Sequence, residues 1–255
     1  MVAEGKVELM KADGIATVSF YHPQSNSLPG QLLNKLANTI TEAGADDSCK
    51  LIVLKSEGEK AFCAGASFDE LIAISDIETG KTFFTGFSKV INAIRKCPKF
   101  VVARIQGKTV GGGVGIAAAA DYSVAHSSAS VKLSELAVGI GPFVVGPAVE
   151  RKVGAAAFSS MAINATAWWP SDWAQMKGLF TEVFNTIEEV DECIENLAKK
   201  LASSNPEAMR KLKEVFWAGT ENWDELLVER AMISGELVLS EFTRNAINKF
   251  KQGAR

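Results

Sequence analysis

Two short turns built from small residues are the parts of this sequence best suited to chemistry. The first spans residues 110–116, where four glycines fall within five positions, and it follows the apolar run at residues 100–105. An alanine-rich segment comes next, so the pattern predicts a buried strand, a tight turn and a helix. The first N–H groups of such a helix are unpaired, and residues without a Cβ let a ligand reach them. The turn is therefore predicted to bind a negatively charged oxygen.

A second turn of the same kind lies at residues 62–67, after the apolar run at residues 51–54. Two such turns could each direct one backbone N–H at the same oxygen, which is how an oxyanion hole is built, with donors about 3 Å from the developing charge. Glycine-rich turns also serve close packing of a helix on a sheet, so a packing role remains the alternative. The spacing matches neither a dinucleotide-binding motif nor a P-loop.

Composition excludes several classes of function. The chain has 255 residues and a formal net charge of −3, with no basic stripe, which argues against nucleic acid as a partner. We find no apolar run that could span a bilayer and no signal-peptide pattern, so we expect no membrane partner and a cytoplasmic location. The four cysteines lack metal-ligand or disulfide spacing, and only two histidines are present, so we expect reduced thiols and no metal site.

Apolar periodicity predicts the elements that must position the two turns. Strands alternate with helices up to about residue 187, which predicts an α/β core at residues 1–187. Only helices follow, so residues 188–255 are predicted to form a helical region for oligomerisation. The predicted strands are 7–10, 15–20, 51–54, 100–105, 122–125, 129–133 and 181–184, the sixth ending at Ser134 and Glu135. Predicted helices cover residues 68–77, 84–94, 188–202, 206–218 and 222–252, the last in two pieces. Two more helices are predicted to start near residue 29 and at residue 146.

Four segments, in order and suitably spaced, resemble the crotonase superfamily of enoyl-CoA hydratases and isomerases: residues 60–66, 106–113, 133–135 and 175–179. The resemblance covers essentially the whole chain. It implies an α/β spiral of repeated ββα units whose C-terminal helices pack in a homotrimer or a dimer of trimers. It also implies an acyl-CoA thioester as substrate, with its carbonyl oxygen between the N–H groups of Ala66 and Gly112. No cofactor is expected beyond the coenzyme A that the substrate carries.

The family's two acid–base positions decide the expected reaction. Hydratases of the family use two glutamates, and this sequence has Gly115 at one position and Glu135 at the other. Adding water is work shared between two carboxylates, whereas moving a double bond needs one base that takes and returns a proton. We therefore predict a 3-enoyl-CoA to 2-enoyl-CoA isomerase with Glu135 as its catalytic base. The alternatives are a hydratase, for which Asp69 or Glu70 could supply the missing acid, and a non-catalytic acyl-CoA-binding protein.

Further residues are candidates for contact with the substrate. Lys60, with Lys249 or Lys251, could meet the phosphates of coenzyme A. Cys63 lies beside the first turn but has no cationic neighbour in sequence, which favours an inert buried thiol. The complete set of predicted substrate-binding residues is Asn26, Ser27, Lys60, Ala64, Phe68, Gly111, Pro142 and Phe143.

Overall fold

The computed structural model describes the backbone of residues 5–253 and the side chains through residue 249. The strands are β1 (Lys6–Ala12), β2 (Ile15–Tyr21), β3 (Leu51–Ser56), β4 (Ala61–Cys63), β5 (Phe100–Ile105), β6 (Lys108–Val110), β7 (Tyr122–His126), β8 (Ser130–Lys132), β9 (Trp169–Pro170) and β10 (Glu182–Phe184). The helices are α1 (Gly30–Ala45), α2 (Phe68–Ala73), α3 (Ile77–Lys96), α4 (Gly112–Ala119), α5 (Gly146–Val153), α6 (Ala155–Ile163), α7 (Ser171–Met176), α8 (Ile187–Ala202), α9 (Pro206–Phe216), α10 (Trp223–Leu237) and α11 (Glu241–Gly253). A 3-10 turn at Glu135–Val138, called the Glu135 turn below, follows β8.

The strands form two sheets that the chain visits alternately. The larger has the order β1-β2-β3-β5-β7-β10 and the smaller has the order β4-β6-β8-β9. Strands β2, β3, β5, β7 and β10 pair in parallel, as do β4, β6 and β8 in the smaller sheet. The chain therefore lays one strand in each sheet and then crosses by a helix, which gives the predicted α/β spiral of ββα units.

The central strands β3, β5 and β7 of the large sheet are buried on both faces, as expected for parallel strands that read as continuous apolar runs. Leu51 and Val53 of β3 point to one face and pack with Val190 and Ile194 of α8. Their neighbours on the strand point the other way into the main core, which includes residues of α1, α3, α4 and α5. Helix α8 is thus one layer of the α/β structure.

The other C-terminal helices also pack on their own chain. Helix α10 runs along α3, where an ideal Cβ at Gly80 would lie 2.9 Å from the Cα of Gly235. Lys213 of α9 makes a buried ion pair with Asp121, 2.8 Å from Nζ to Oδ2. The Thr243 hydroxyl of α11 donates to the Gly139 carbonyl at 3.1 Å, next to the Glu135 turn. The boundary at residue 187 and the oligomeric role of these helices remain predictions.

Most predicted elements match the structure, and three differ in their bounds. Asp13 and Gly14 form the predicted turn, with φ values of 51° and 78° that suit a two-residue hairpin. The helix predicted at residues 68–77 starts at Phe68 but ends at Ala73, and the helix predicted at residues 84–94 begins earlier, at Ile77. Asp76 caps α3 by accepting from the Thr79 N–H at 2.8 Å, so a new helix starts there.

The strand predicted at residues 129–133 is shorter than expected. Its pairing ends at Lys132, and Glu135 is the first residue of the 3-10 turn that follows. Glu135 therefore lies beyond the strand end, on a turn. Within residues 5–253, no helix combines the length and the apolar character needed to cross a membrane.

Candidate active site

The predicted site residues follow three neighbouring strands of the small sheet. Strands β4, β6 and β8 are adjacent and parallel, and Ala66, Gly112 and Glu135 come after their carboxyl ends. The N–H of Gly111 donates to the Lys132 carbonyl at 2.9 Å, so the pairing of β6 with β8 continues into the turn. The carboxyl ends of parallel strands share one edge of a sheet, which is where ligands bind in many α/β folds. The spiral brings the three segments to one edge.

Each predicted oxyanion donor follows a glycine with a positive φ angle. Gly65, before Ala66, has φ of 91°, and Gly111, before Gly112, has φ of 51°. Side chains disfavour this backbone region, so glycine is required to turn the next N–H out of the strand direction. Within the described part of the chain, the N–H groups of Ala66 and Gly112 have no hydrogen-bond acceptor.

The two turns lie against each other. An ideal Cβ at Gly65 would be 3.1 Å from the Val110 carbonyl oxygen and 3.7 Å from the Gly112 nitrogen. Two adjacent backbone segments with free N–H groups are what a two-donor oxyanion hole needs. That Ala66 and Gly112 act on a substrate through their main chain remains a prediction.

Two side chains support the glycine turn from behind. A Cβ at Gly112 would overlap the ring of Phe87 on α3, and a Cβ at Gly113 would lie 2.7 Å from the Cβ of Cys63. Burial raises the pKa of the Cys63 thiol to about 12, so this thiol stays protonated at neutral pH. Both residues therefore pack the turn, and Cys63 agrees with the buried thiol expected from its sequence context.

Glu135 carries the features of a general base. Its Oε2 is buried and has no hydrogen-bond partner within the described residues, and burial raises the pKa of Glu135 to about 7. A buried carboxyl without a partner is costly to ionise, which is how a carboxylate becomes basic enough to act near neutrality. Its carboxylate lies at the turn itself, because a Cβ at Gly111 would be 3.0 Å from Oε1.

Residue 115 is closed to a side chain. Gly115 is buried on α4, one turn after Gly112, and an ideal Cβ there would lie 2.5 Å from Cγ1 of Val145. The two proposed replacement acids, Asp69 and Glu70, have hydrogen-bond partners on another segment. Gln24 donates to Asp69 at 3.2 Å, and the N–H of Gly30 donates to Glu70 at 2.8 Å, both at the loop that starts α1.

Asn26 and Ser27 have structural partners. The Asn26 amide donates to the carbonyls of Glu57 and Ala61 at 2.8 and 2.9 Å, and its oxygen accepts from the His22 N–H at 2.9 Å. The Ser27 hydroxyl lies 3.3 Å from Nδ1 of His22. Both amide hydrogens of Asn26 are thus used within the chain. These side chains fix the loop beside the first turn, and their contact with a substrate remains a prediction.

The remaining candidates divide by position. Lys60 is exposed at the amino end of β4, whereas the site follows its carboxyl end, so the structure does not bring Lys60 to the turns. Lys249 is exposed on α11, and the side chain of Lys251 lies outside the described residues. The other candidates lie on segments that adjoin the site, half-buried apart from the buried Gly111: Ala64, Phe68, Gly111, Pro142 and Phe143.

Phe68 belongs to an apolar cluster that includes Val138, the last residue of the Glu135 turn. The cluster joins α2, α3, α11 and the loop after Glu135, and it includes Phe84, Ile140 and Ile247. Sequence analysis singled out neither Ile140 nor Val145. Val145 lies thirty positions from Gly115 in sequence, and only the closely spaced glycines on α4 indicated that another element packs there.

Comparison with known proteins decides the family. The family model described as enoyl-CoA hydratase/isomerase matches residues 10–249. The chain belongs to the enoyl-CoA hydratase/isomerase family. Among curated relatives, a short-chain-enoyl-CoA hydratase of Clostridium acetobutylicum is 28% identical over 247 residues, covering 96% of this chain and 94% of the relative. A mitochondrial methylglutaconyl-CoA hydratase of Rattus norvegicus is 31% identical over 200 residues, covering 77% of this chain and 63% of the relative.

Solved structures agree with this family. An enoyl-CoA hydratase from Bacillus halodurans superimposes with a TM-score of 0.88 over 95% of this chain and 99% of the other, at 19% identity. One from Mycobacterium avium subsp. paratuberculosis gives a TM-score of 0.84 at 25% identity, covering 97% and 96%. The first likeness shows the fold alone. This member of the enoyl-CoA hydratase/isomerase family is an enzyme with the crotonase fold and C-terminal helices.

Proposed function

We propose that the protein is an enoyl-CoA isomerase that converts a 3-enoyl-CoA thioester to the 2-enoyl isomer with Glu135 as its catalytic base. The observation that carries the proposal is a combination of two features: the buried Oε2 of Glu135 has no hydrogen-bond partner among the described residues, and residue 115 has no room for a side chain. One base of this kind suffices for a proton shift between two carbons.

In the proposed reaction, Glu135 takes the proton from C2 of the substrate. The electron pair of that C–H bond passes to the thioester oxygen, and the resulting dienolate is stabilised by the N–H groups of Ala66 and Gly112. The proton then returns from Glu135 to C4, the double bond moves from C3–C4 to C2–C3, and the base is regenerated. Coenzyme A enters as part of the substrate, and the enzyme's own residues supply both the base and the donors.

Hydration of a 2-enoyl-CoA is the second candidate. It is favoured by the hydratase names of relatives such as those from C. acetobutylicum and R. norvegicus. A hydratase of this chain would need one carboxylate to activate water and to protonate C2, since Asp69 and Glu70 face the start of α1. A non-catalytic binding role is disfavoured by the raised pKa and unpartnered Oε2 of Glu135, which lies beside backbone N–H groups without acceptors.

The test is to incubate purified protein with a 3-enoyl-CoA and, separately, with a 2-enoyl-CoA. We expect the first to gain the ultraviolet absorbance of a conjugated thioester and the second to resist conversion to a 3-hydroxyacyl-CoA. A 3-enoyl-CoA deuterated at C2 should give product with part of the deuterium at C4, because one carboxylate carries the same hydrogen. Fast hydration without double-bond migration would contradict the proposal.

A further inference from the structure

The space next to Gly115 is filled by another part of the chain. An ideal Cβ at residue 115 would lie 2.5 Å from Cγ1 and 2.7 Å from Cβ of Val145, and 3.4 Å from Cδ1 of Ile91. Val145 is buried, with 4% of its surface exposed, and Ile91 is completely buried. A simple loss of a side chain at residue 115 would leave a cavity of the kind that destabilises cores, and here the volume is occupied.

Gly115 and Gly112 lie on the same face of α4. They are three residues apart, which places them one above the other on a helix. Phe87 packs against Gly112. Ile91, one turn further along α3, lies against Gly115. Val145 therefore lies one helical turn from the residue predicted to donate to the substrate oxygen.

One loop connects Val145 to the catalytic base. The loop after the Glu135 turn begins where the Ile140 N–H donates to the Glu135 carbonyl at 3.0 Å. It ends where the Gly146 N–H donates to the Pro142 carbonyl at 2.8 Å, directly before α5. The same loop thus positions Glu135 at one end and an apolar side chain against α4 at the other.

We propose that Val145 is a specificity-determining residue, because it closes the region beside Gly115 to water and to a second acidic group. The proposal rests on the proposed isomerase function. A dienolate formed in the site can accept a proton from Glu135, whereas addition of water to a 2-enoyl product needs a water positioned by an acidic group. An apolar side chain in that space leaves such a water without hydrogen-bond partners, so it would be unstable there.

The experiment compares reaction outcomes in three variants, Val145→Gly, Gly115→Glu, and the two changes combined. The measured quantity is the ratio of 3-hydroxyacyl-CoA formed from a 2-enoyl-CoA to 2-enoyl-CoA formed from a 3-enoyl-CoA. This ratio does not depend on how much of each preparation is folded. Val144→Gly is the matched control, because Val144 is also buried, with 5% of its surface exposed. None of its atoms is among the three nearest to an ideal Cβ at residue 115.

We expect the combined variant to raise the ratio at least about tenfold over either Gly115→Glu or Val144→Gly, since a positioned acid typically contributes about 10²–10⁴-fold. Gly115→Glu alone should not hydrate, because its Cβ has no room beside Val145. A folded combined variant that isomerises but does not hydrate would overturn the role of Val145. An equal rise in Val144→Gly would do the same, because it would indicate general loosening.

A milder variant tests the proposal if the combined variant fails to fold. Val145→Ala removes only the two methyl groups, and the reaction is run on 3-enoyl-CoA in deuterated water. We expect more solvent deuterium at C4 of the product than in wild type or Val144→Ala, because water then reaches the base. Unchanged deuterium content would contradict the proposal. If wild type itself does not isomerise 3-enoyl-CoA, the proposed function fails, and that result is read from the wild-type assay alone.

Discussion

The carboxylate of Glu135 lies against the backbone of Gly111, close enough that an ideal Cβ at residue 111 would be 3.0 Å from Oε1. Gly111 has φ of 51° and ψ of −115°, a conformation open to glycine alone, and it directly precedes the predicted donor Gly112. One residue therefore sets both the direction of the predicted oxyanion donor and the space for the predicted base.

Replacing Gly111 by alanine should remove activity for two reasons, backbone strain and contact with the base. We expect kcat/KM to fall at least about 10²-fold, the usual effect of losing one oxyanion donor. Gly154→Ala is the control, because Gly154 has φ of 79° but nothing lies within 4 Å of its ideal Cβ. The control should lose about 1 kcal/mol of stability and keep its activity. Equal kinetic losses in both variants would show that strain alone explains the effect.

Glu135→Gln should abolish turnover while leaving acyl-CoA binding nearly unchanged. The change removes the base but keeps the shape of the side chain, and the backbone donors of Ala66 and Gly112 remain. We expect kcat to fall by about 10²–10⁴-fold or more, because one group both takes and returns the proton. Calorimetry with a saturated acyl-CoA measures binding separately. Full activity in this variant would rule out Glu135 as the base.

The activity should depend on the ionisation of Glu135. The base acts as a carboxylate, and burial places its pKa at about 7, so kcat/KM for the free enzyme should rise as the pH increases through about 7 and then level off. The profile is measured between pH 5 and about 9 with a 3-enoyl-CoA. A half-maximal point near the ordinary glutamate pKa would contradict a base whose pKa is raised by burial.

The same titration should affect stability. The pKa of Glu135 is raised from 4.5 to about 7 in the folded state, so the folded protein binds the proton more tightly than the unfolded chain. The free energy of unfolding should therefore fall between these pH values and stay lower above them. Glu135→Gln lacks this loss and should gain up to roughly 3 kcal/mol over wild type between pH 4 and about 8. Denaturant unfolding of wild type and Glu135→Gln at both pH values measures this difference in the free energy of unfolding.

Much of the fold follows from the sequence. The long strands β3 and β5 are continuous apolar runs, and α8, α9 and α11 have clear periodicity, so their positions were predicted within a few residues. Strands β4, β6 and β9 have two or three residues, too few to show any period. The break between α2 and α3 depends on the side-chain cap at Asp76, which apolar periodicity does not reveal.

Sequence analysis identified the main residues of the candidate site but not the side chains that pack around them. Positions of glycine indicated where main-chain N–H groups are free, and the resemblance pointed to Glu135. The burial of Oε2 and the position of Val145 depend on contacts between segments far apart in sequence. Lys60 lies at the opposite end of β4 from the turns, and its contact with the phosphates of coenzyme A stays a prediction.

We expect a trimer or a dimer of trimers in solution. Among apolar residues of the last helices, Leu227 and Val238 are buried within the chain, whereas Met232 and Leu237 are exposed. Apolar residues of α9 are exposed as well: Leu212, Val215 and Phe216. They are spaced at i, i+3 and i+4, so they form one apolar stripe on the helix. Sedimentation velocity measures the mass of wild type, Val215→Glu and Met10→Glu. Both wild-type residues are 70% exposed, and only the α9 change should weaken assembly. A wild-type monomer at micromolar concentration would contradict the expectation.

Both predicted oxyanion donors are main-chain N–H groups of the residues that directly follow Gly65 and Gly111 in sequence. Substitutions elsewhere change side chains and leave these N–H groups in place, so the capacity to activate a thioester is insensitive to most mutations. In the proposed reaction, the fate of the activated carbon depends instead on a few side chains, Glu135 and Val145 among them. If the enzyme forms an enolate as proposed, new reactions could arise on this scaffold by single replacements.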